Sequence, residues 1–294
     1  MNLPNFMCLG AAKSGTTTLC DILRQHPEIY IPSFKEPHFF DFPENFENGL
    51  EWYAENYYKE VDKKIIADFT PSYFFDKDVP KRIFDSLGKD MKFLVIFRNP
   101  VDRAYSHYLH SKRDDYEIEN FEVALELEVS RLNKYKDQAD YLYYLKHSYV
   151  QQGLYAEMLE RYLQYFSLDN FLFIHFEDEF LQKRDLIISN ILDFLEVDNS
   201  ILLNTDIRSN PSSKERSKSI KKLMNKRGWF RDIIKFMVPS KQLRQIINNK
   251  IQRINITEFK AQQLSEEVKS ELLEKYFSKD ISHLEKMLNK KMNW

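Results

Sequence analysis

Residues 5–25 constrain the fold more tightly than any other stretch of the chain. Asn5-Phe6-Met7-Cys8-Leu9 is a short apolar run, and Gly10-Ala11-Ala12-Lys13-Ser14-Gly15-Thr16-Thr17-Thr18 follows it at once. Leu19 to Gln25 then has helical periodicity, with Leu19, Ile22 and Leu23 on one face. A strand, a glycine loop and a helix in immediate succession are how a nucleotide-binding α/β domain begins. Ile65-Ile66-Ala67, Phe93-Leu94-Val95-Ile96-Phe97 and Phe171-Leu172-Phe173-Ile174 are further strand candidates. Each is a continuous apolar run, as parallel strands covered on both faces require. Helical patterns lie between them, clearest over Phe121–Tyr135 and Tyr155–Phe166. With no internal repeat and no low-complexity linker, residues 1–294 read as one α/β domain, a central parallel sheet flanked by helices.

The glycine loop has P-loop-like character, since backbone N–H groups at a helix start bind phosphate. It departs from the nucleoside-triphosphatase pattern, Gly-x4-Gly-Lys-Ser/Thr. Gly10 and Gly15 keep the spacing, but Thr16 stands where lysine belongs, and the lysine has moved inside the loop as Lys13. A triphosphate with Mg²⁺ fits poorly. A donor with a short 5′ anionic group, hydroxyls around it and one lysine near its leaving oxygen fits better. Taken alone, the loop is also compatible with a turn that merely caps a helix. A second constellation follows the run ending at Phe97. Arg98 at a strand end and Ser106 on the next helix can converge on another phosphate, a forked charged donor beside a small one. A surface salt bridge is the plainer use of such an arginine. The third constellation is Phe34-Lys35-Glu36-Pro37-His38-Phe39-Phe40-Asp41. Transfer to a hydroxyl needs a base, and Glu36 and His38 are both candidates.

Charge is nearly balanced over the 294 residues, 43 Lys and Arg against 45 Asp and Glu, so no global field points to nucleic acid. Cys8 and Cys20 are the only cysteines, too few for a disulfide framework and suited to a reducing compartment. No apolar stretch reaches membrane-spanning length, so the sequence reads as soluble and cytoplasmic. One stretch breaks the even texture: residues 208–253 carry 14 basic residues against 2 acidic ones. This basic helical segment, about 208–257, can be a solvated helical face or a track for an anionic glycan. A further alternative is a peripheral contact with the inner membrane face, because Trp229-Phe230, Ile233-Ile234 and Phe236-Met237 interleave with its cations. Leu264 to Leu288 reads as an ordinary surface helix of mixed charge.

Together the three constellations resemble the sulfotransferases that use 3′-phosphoadenosine 5′-phosphosulfate (PAPS), notably the heparan sulfate N- and O-sulfotransferases and their bacterial relatives. Gly10–Leu19 resembles that family's 5′-phosphosulfate loop. His26-Pro27 with Lys35-Glu36-Pro37-His38-Phe39-Phe40 resembles its catalytic segment, and Thr70-Pro71-Ser72-Tyr73 its substrate-side turn. Arg98 to His110 resembles its 3′-phosphate strand and helix, and Gly153-Leu154-Tyr155, Glu177-Asp178, Phe194-Leu195, Tyr276, Asp280, Leu284 and Trp294 fit its later landmarks. The resemblance implies a role for each residue. Lys13 stabilises the leaving oxygen, while Ser14, Gly15, Thr16, Thr17 and Thr18 hold the 5′ group. Arg98 and Ser106 take the 3′-phosphate, with Arg216 and Lys218 as further phosphate contacts. Glu36, ahead of His38, is the general base of an in-line transfer that leaves adenosine 3′,5′-bisphosphate and requires no metal. The implied acceptor is a hydroxyl, or an amine, of a saccharide such as a bacterial polysaccharide. A lipid or carrier-bound hydroxyacyl chain is the alternative. The pattern departs in two places: heparan-type members often have Glu-Lys before Thr-Pro, where Asp68-Phe69 stand here, and the late nucleotide-binding loop, which should fall at Asn210–Lys218, is less clear. The rival classes are a P-loop kinase or ATPase, which Mg²⁺-dependent ATP hydrolysis would reveal, and a non-catalytic nucleotide module, which needs no base.

Overall fold

The computed structural model describes residues 1–137, 140–207, 209, 213–215, 256–258 and 262–294. The chain divides into two units, Met1–Ser209 with Leu264–Trp294, and Asn210–Gln263.

In the first unit, strands β1 (Phe6–Gly10), β2 (Ile29–Tyr30), β3 (Ile65–Phe69), β4 (Lys92–Phe97) and β5 (Phe171–His175) form one sheet in the order β2-β3-β1-β4-β5. Every pairing is parallel. The helices are α1 (Thr16–Leu23), α2 (Pro43–Phe46), α3 (Gly49–Tyr57), α4 (Val79–Leu87), α5 (Pro100–Arg113), α6 (Phe121–Asp137), α7 (Tyr141–His147), α8 (Tyr155–Leu163), α9 (Arg184–Phe194), α10 (Glu266–Tyr276) and α11 (Ser278–Leu288). The four strands read from the sequence are all present. β2 has only two residues, too few to show a pattern.

The apolar strands sort their side chains alternately onto two faces. Phe6, Cys8, Leu94 and Ile96 join Leu19, Ile22 and Leu23 of α1 and Ile187, Ile188 and Ile191 of α9 in one core. Met7, Leu9, Phe93, Val95 and Phe97 join Tyr53 of α3, Ile83 of α4 and Leu159 of α8 in the other. Burial on both faces is what made the strands uniformly apolar. Asp68 is an exception, a fully buried carboxylate near the end of β3 on the second face. It accepts hydrogen bonds from Tyr53, Tyr73 (3.1 Å) and Thr70 (2.6 Å), and burial pushes its pKa up to about 6.

Residues 264–288 are not one surface helix. They form α10 and α11, broken at Phe277, which is 2% exposed and packs beside Leu272, Tyr108 and Phe121 in a third core with α5 and α6. Leu284 of α11 is fully buried in the second core. The charges between these residues mask an apolar stripe that serves two neighbours. Gly153 permits the approach: a Cβ there would lie 2.7 Å from the Phe277 ring.

In the second unit, β6 (Ser213–Glu215) pairs antiparallel with β7 (Ile256–Glu258), Ser213 opposite Glu258. Arg216, Lys218 and most of the basic segment lie outside the described residues. Among the described residues no helix is long and apolar enough to cross a membrane. Cys8 and Cys20 are free and buried.

Candidate functional site

The sheet's strand order reverses between β1 and β4, and the carboxyl ends of these neighbouring strands carry the two phosphate-type constellations. A reversal of this kind leaves a crevice beyond the strand ends. The loop from Gly10 to Thr16 turns tightly there, with Lys13 at φ 72° and Gly15 at φ 83°. Gly15 is required twice over. Its φ lies in the left-handed region, and a Cβ would come within 2.9 Å of both the Phe176 and Phe180 rings. As the residue before α1 it offers no side-chain cap, so the first-turn amides of the helix keep their hydrogen-bonding capacity. The Ser14 side chain is fully buried, and its hydroxyl has no protein partner. A buried, unmatched hydroxyl beside uncapped helix amides is a cradle for an anion. Thr16 and Thr17 supply further hydroxyls. The Thr18 hydroxyl is used differently, exchanging hydrogen bonds with the Ser209 backbone (3.1 and 3.4 Å).

Arg98 leaves β4 toward this loop and donates to the Lys13 carbonyl (2.7 Å), its guanidinium lying 5.1 Å from the Phe176 ring centre. Its buried Nε has no protein partner. Three contacts fix the strand end. Tyr155 donates to the Arg98 carbonyl (2.8 Å), Glu177 accepts from the Asn99 amide (2.9 Å), and Asn99 caps α5 through the Val101 and Asp102 amides. Trp294 packs against Tyr155 (5.9 Å between rings) and donates to the other Glu177 oxygen (3.4 Å). Ser106 lies half-buried on α5.

Lys13 lies in a cationic neighbourhood. Burial lowers its pKa most, the charges of Arg113 and Lys146 lower it further, and it settles at about 7. Those two residues come from α5 and α7 and clasp Asp114 at 2.9 and 3.0 Å. His110, beside Lys146 at 3.3 Å, is held neutral by burial and by the same cations, Lys13 among them. Sequence reasoning passed over Arg113, Asp114 and Lys146, whose convergence depends on how α7 docks.

The segment after β2 brings the candidate bases together. Glu36 and His38 both have left-handed backbones, φ 67° and 52°, a strain of the kind that persists where the surroundings over-determine it. Glu36 Oε1 accepts from Lys35 (3.0 Å), and Oε2 lies 3.7 Å from His38 Nε2. His38 Nδ1 lies 2.8 Å from the buried Asp41 carboxylate, which also accepts from Ser72 (2.5 Å). Burial alone would raise the Glu36 pKa; the Lys35 ammonium and His38 ring outweigh it and hold the carboxyl well below the usual carboxylate range. Burial alone would lower that of His38; Asp41 and then Glu36 overcome it and push it up to about 10. The turn Thr70–Tyr73 anchors this segment. Besides the Ser72 bond, the Tyr73 hydroxyl accepts the Phe39 and Phe40 amides (2.9 and 3.2 Å). Phe69, at the place of the heparan-type lysine, is 1% exposed and packs edge-on against Phe6. Among the described residues no three His, Cys, Asp or Glu side chains are grouped as metal ligands.

A family model described as a sulfotransferase domain matches residues 3–255. Human heparan sulfate glucosamine 3-O-sulfotransferase 3B1 is 36% identical over 174 residues, covering 58% of this chain and 41% of that protein. Human heparan sulfate glucosamine 3-O-sulfotransferase 6 is 34% identical over 171 residues, covering 58% and 46%. The chain thus spans less than half the length of these curated relatives. The crystal structure of a sulfotransferase from Alicyclobacillus acidocaldarius superposes with a TM-score of 0.70 at 25% identity, over 99% of this chain and 98% of that one.

Proposed function

The chain belongs to the sulfotransferase-domain family, and from that premise we propose that it transfers the sulfuryl group of PAPS to a hydroxyl of an anionic saccharide. One observation carries the donor assignment: the buried, unpartnered Ser14 hydroxyl stands beside a helix start with no side-chain cap, and Lys13 lies in the same loop. That cradle suits a short 5′ anionic group, which Ser14 and the Gly15 to Thr18 amides would hold. Arg98, with its unmatched Nε, and Ser106 would hold the 3′-phosphate. The donor supplies an activated sulfur whose bond to the bridging phosphate oxygen breaks as the acceptor oxygen bonds to it. Lys13 is placed to neutralise the oxygen that leaves. Glu36 accepts the acceptor's proton; His38, cationic in the neutral range, cannot, and serves to orient Glu36.

The acceptor class rests on charge. Arg113 and Lys146 flank the single carboxylate of Asp114 at 2.9 and 3.0 Å, which leaves a net positive charge near Lys13 that would favour an anionic saccharide at the sulfur. The curated relatives act, by name, on heparan sulfate glucosamine. With Phe69 buried where those relatives' branch often has lysine, any acceptor contact made through that lysine has no counterpart here. The test is calorimetric titration with adenosine 3′,5′-bisphosphate against ATP with Mg²⁺, followed by transfer from labelled PAPS to anionic and neutral saccharides. Tight bisphosphate binding with transfer to the anionic set supports the proposal. Preference for ATP overturns the donor, and preference for neutral acceptors overturns the acceptor class.

A further inference from the structure

Lys35 has no part in the roles assigned so far, yet its ammonium occupies the middle of the site. The side chain is 14% exposed. Its Nζ donates to Glu36 Oε1 (3.0 Å), Thr17 Oγ1 (3.1 Å) and Thr16 Oγ1 (3.3 Å). An ammonium has three N–H groups, so all three are committed, two to the first residues of α1 and one to the candidate base. The cation therefore sits at the helix start where the 5′ anion would be held, and at the same time on the carboxylate that would take the acceptor's proton.

We propose that Lys35 is a positioning residue shared between the donor loop and Glu36, and that an anion seated on the loop draws the ammonium off the carboxylate and frees it to accept a proton. This rests on the donor reading above. Of the three bonds, the one to Glu36 is charge-assisted and the two to threonine are not. An incoming phosphosulfate or phosphate adds a charged competitor within reach of the same N–H groups. Each N–H it takes lessens the neutralisation of Glu36, whose other cationic neighbour, His38, stands off at 3.7 Å. Without an anion on the loop, Glu36 is masked and weakly basic. With one, its basicity rises where the acceptor hydroxyl must lose its proton. Occupation of the donor site thus arms the base.

Competition for Lys35 has a signature that a merely structural clip lacks. If Glu36 competes with the nucleotide for the ammonium, Glu36→Gln releases Lys35 to the nucleotide and tightens binding. That gain then shrinks when Lys35 is absent. If Lys35 only shields Glu36, its removal exposes the nucleotide to the full carboxylate charge, and Glu36→Gln gains more without Lys35, not less. The experiment is a double-mutant cycle by calorimetry with adenosine 3′,5′-bisphosphate on the full chain. It compares wild type, E36Q, K35M and K35M/E36Q, with K35Q replacing K35M should the methionine variant fail to fold. The expected result is a gain of about fivefold for E36Q, the size of an ordinary contact coupling, reduced to about twofold or less in the Lys35-free background. An equal or larger gain there overturns the proposal while leaving the donor assignment standing. If the wild type binds no bisphosphate, the donor assignment fails and this proposal with it.

Discussion

Lys13 and Glu36 are held away from their ordinary proton affinities in opposite senses, one by burial among like charges and the other by an ammonium and an imidazolium beside it. The consequences for pH differ. Lys13, with its pKa at about 7, is charged below neutrality and loses its proton above it. An anionic nucleotide binds the charged form better and raises the pKa in the complex. Bisphosphate affinity therefore falls as pH rises through 7, by up to about tenfold per pH unit for one linked proton. Titrations between pH 6 and 9 should show this slope in the wild type and its loss in Lys13→Met. Glu36 is ionised throughout that range and adds no slope of its own. Its replacement acts on the chemical step instead: Glu36→Gln is expected to lower the transfer rate by about 10²–10⁴-fold, while bisphosphate binding survives. A rate within threefold of wild type would remove Glu36 from the role of base.

At the scale of elements, the structure depends on how segments are tied at their ends. Leu154 precedes α8 with a side chain that cannot cap it, and Asp280 of α11 does so from a distance, accepting the Ala156 and Glu157 amides at 3.0 and 3.1 Å. Asp280→Ala should cost about 1 kcal/mol in urea unfolding, as other lost caps do, with little change in nucleotide affinity. A cost below a few tenths would mean that water replaces the cap. This long-range cap also shows where the sequence stopped being legible. β1, β3, β4 and β5 were readable because strands buried on both faces are uniformly apolar. The loop was readable because Gly10 and Gly15 are spaced by a local steric demand. The tail was misjudged because Leu272, Phe277 and Leu284 serve two different cores, so no single helical stripe marks them. Lys35 stands in a legible motif, but its meaning lies in its reach across to Thr16 and Thr17, which no local pattern shows. Arg113 and Lys146 converge only once α7 has docked. Arg216 and Lys218 lie outside the described residues.

For the first unit as a whole, residues far apart in the chain complete one another. Leu272, Phe277, Leu284 and Met292 are each less than 10% exposed, and burying each such side chain contributes about 1.5–3 kcal/mol. Together that rivals the entire 5–15 kcal/mol by which an ordinary domain is stable. A chain ending at residue 263 should accordingly lose cooperative thermal unfolding and bind no bisphosphate. A sharp melting transition in that truncation would show the tail to be an accessory. The contact between Trp294, Glu177 and Tyr155 ties the tail to the nucleotide site mechanically. Trp294 packs on Tyr155 and donates to Glu177, and those two residues hold the Arg98 carbonyl and the Asn99 amide. A displacement of the tail is thereby passed to the strand end that carries Arg98, so whatever grips or loosens α11 also tunes the grip on the donor.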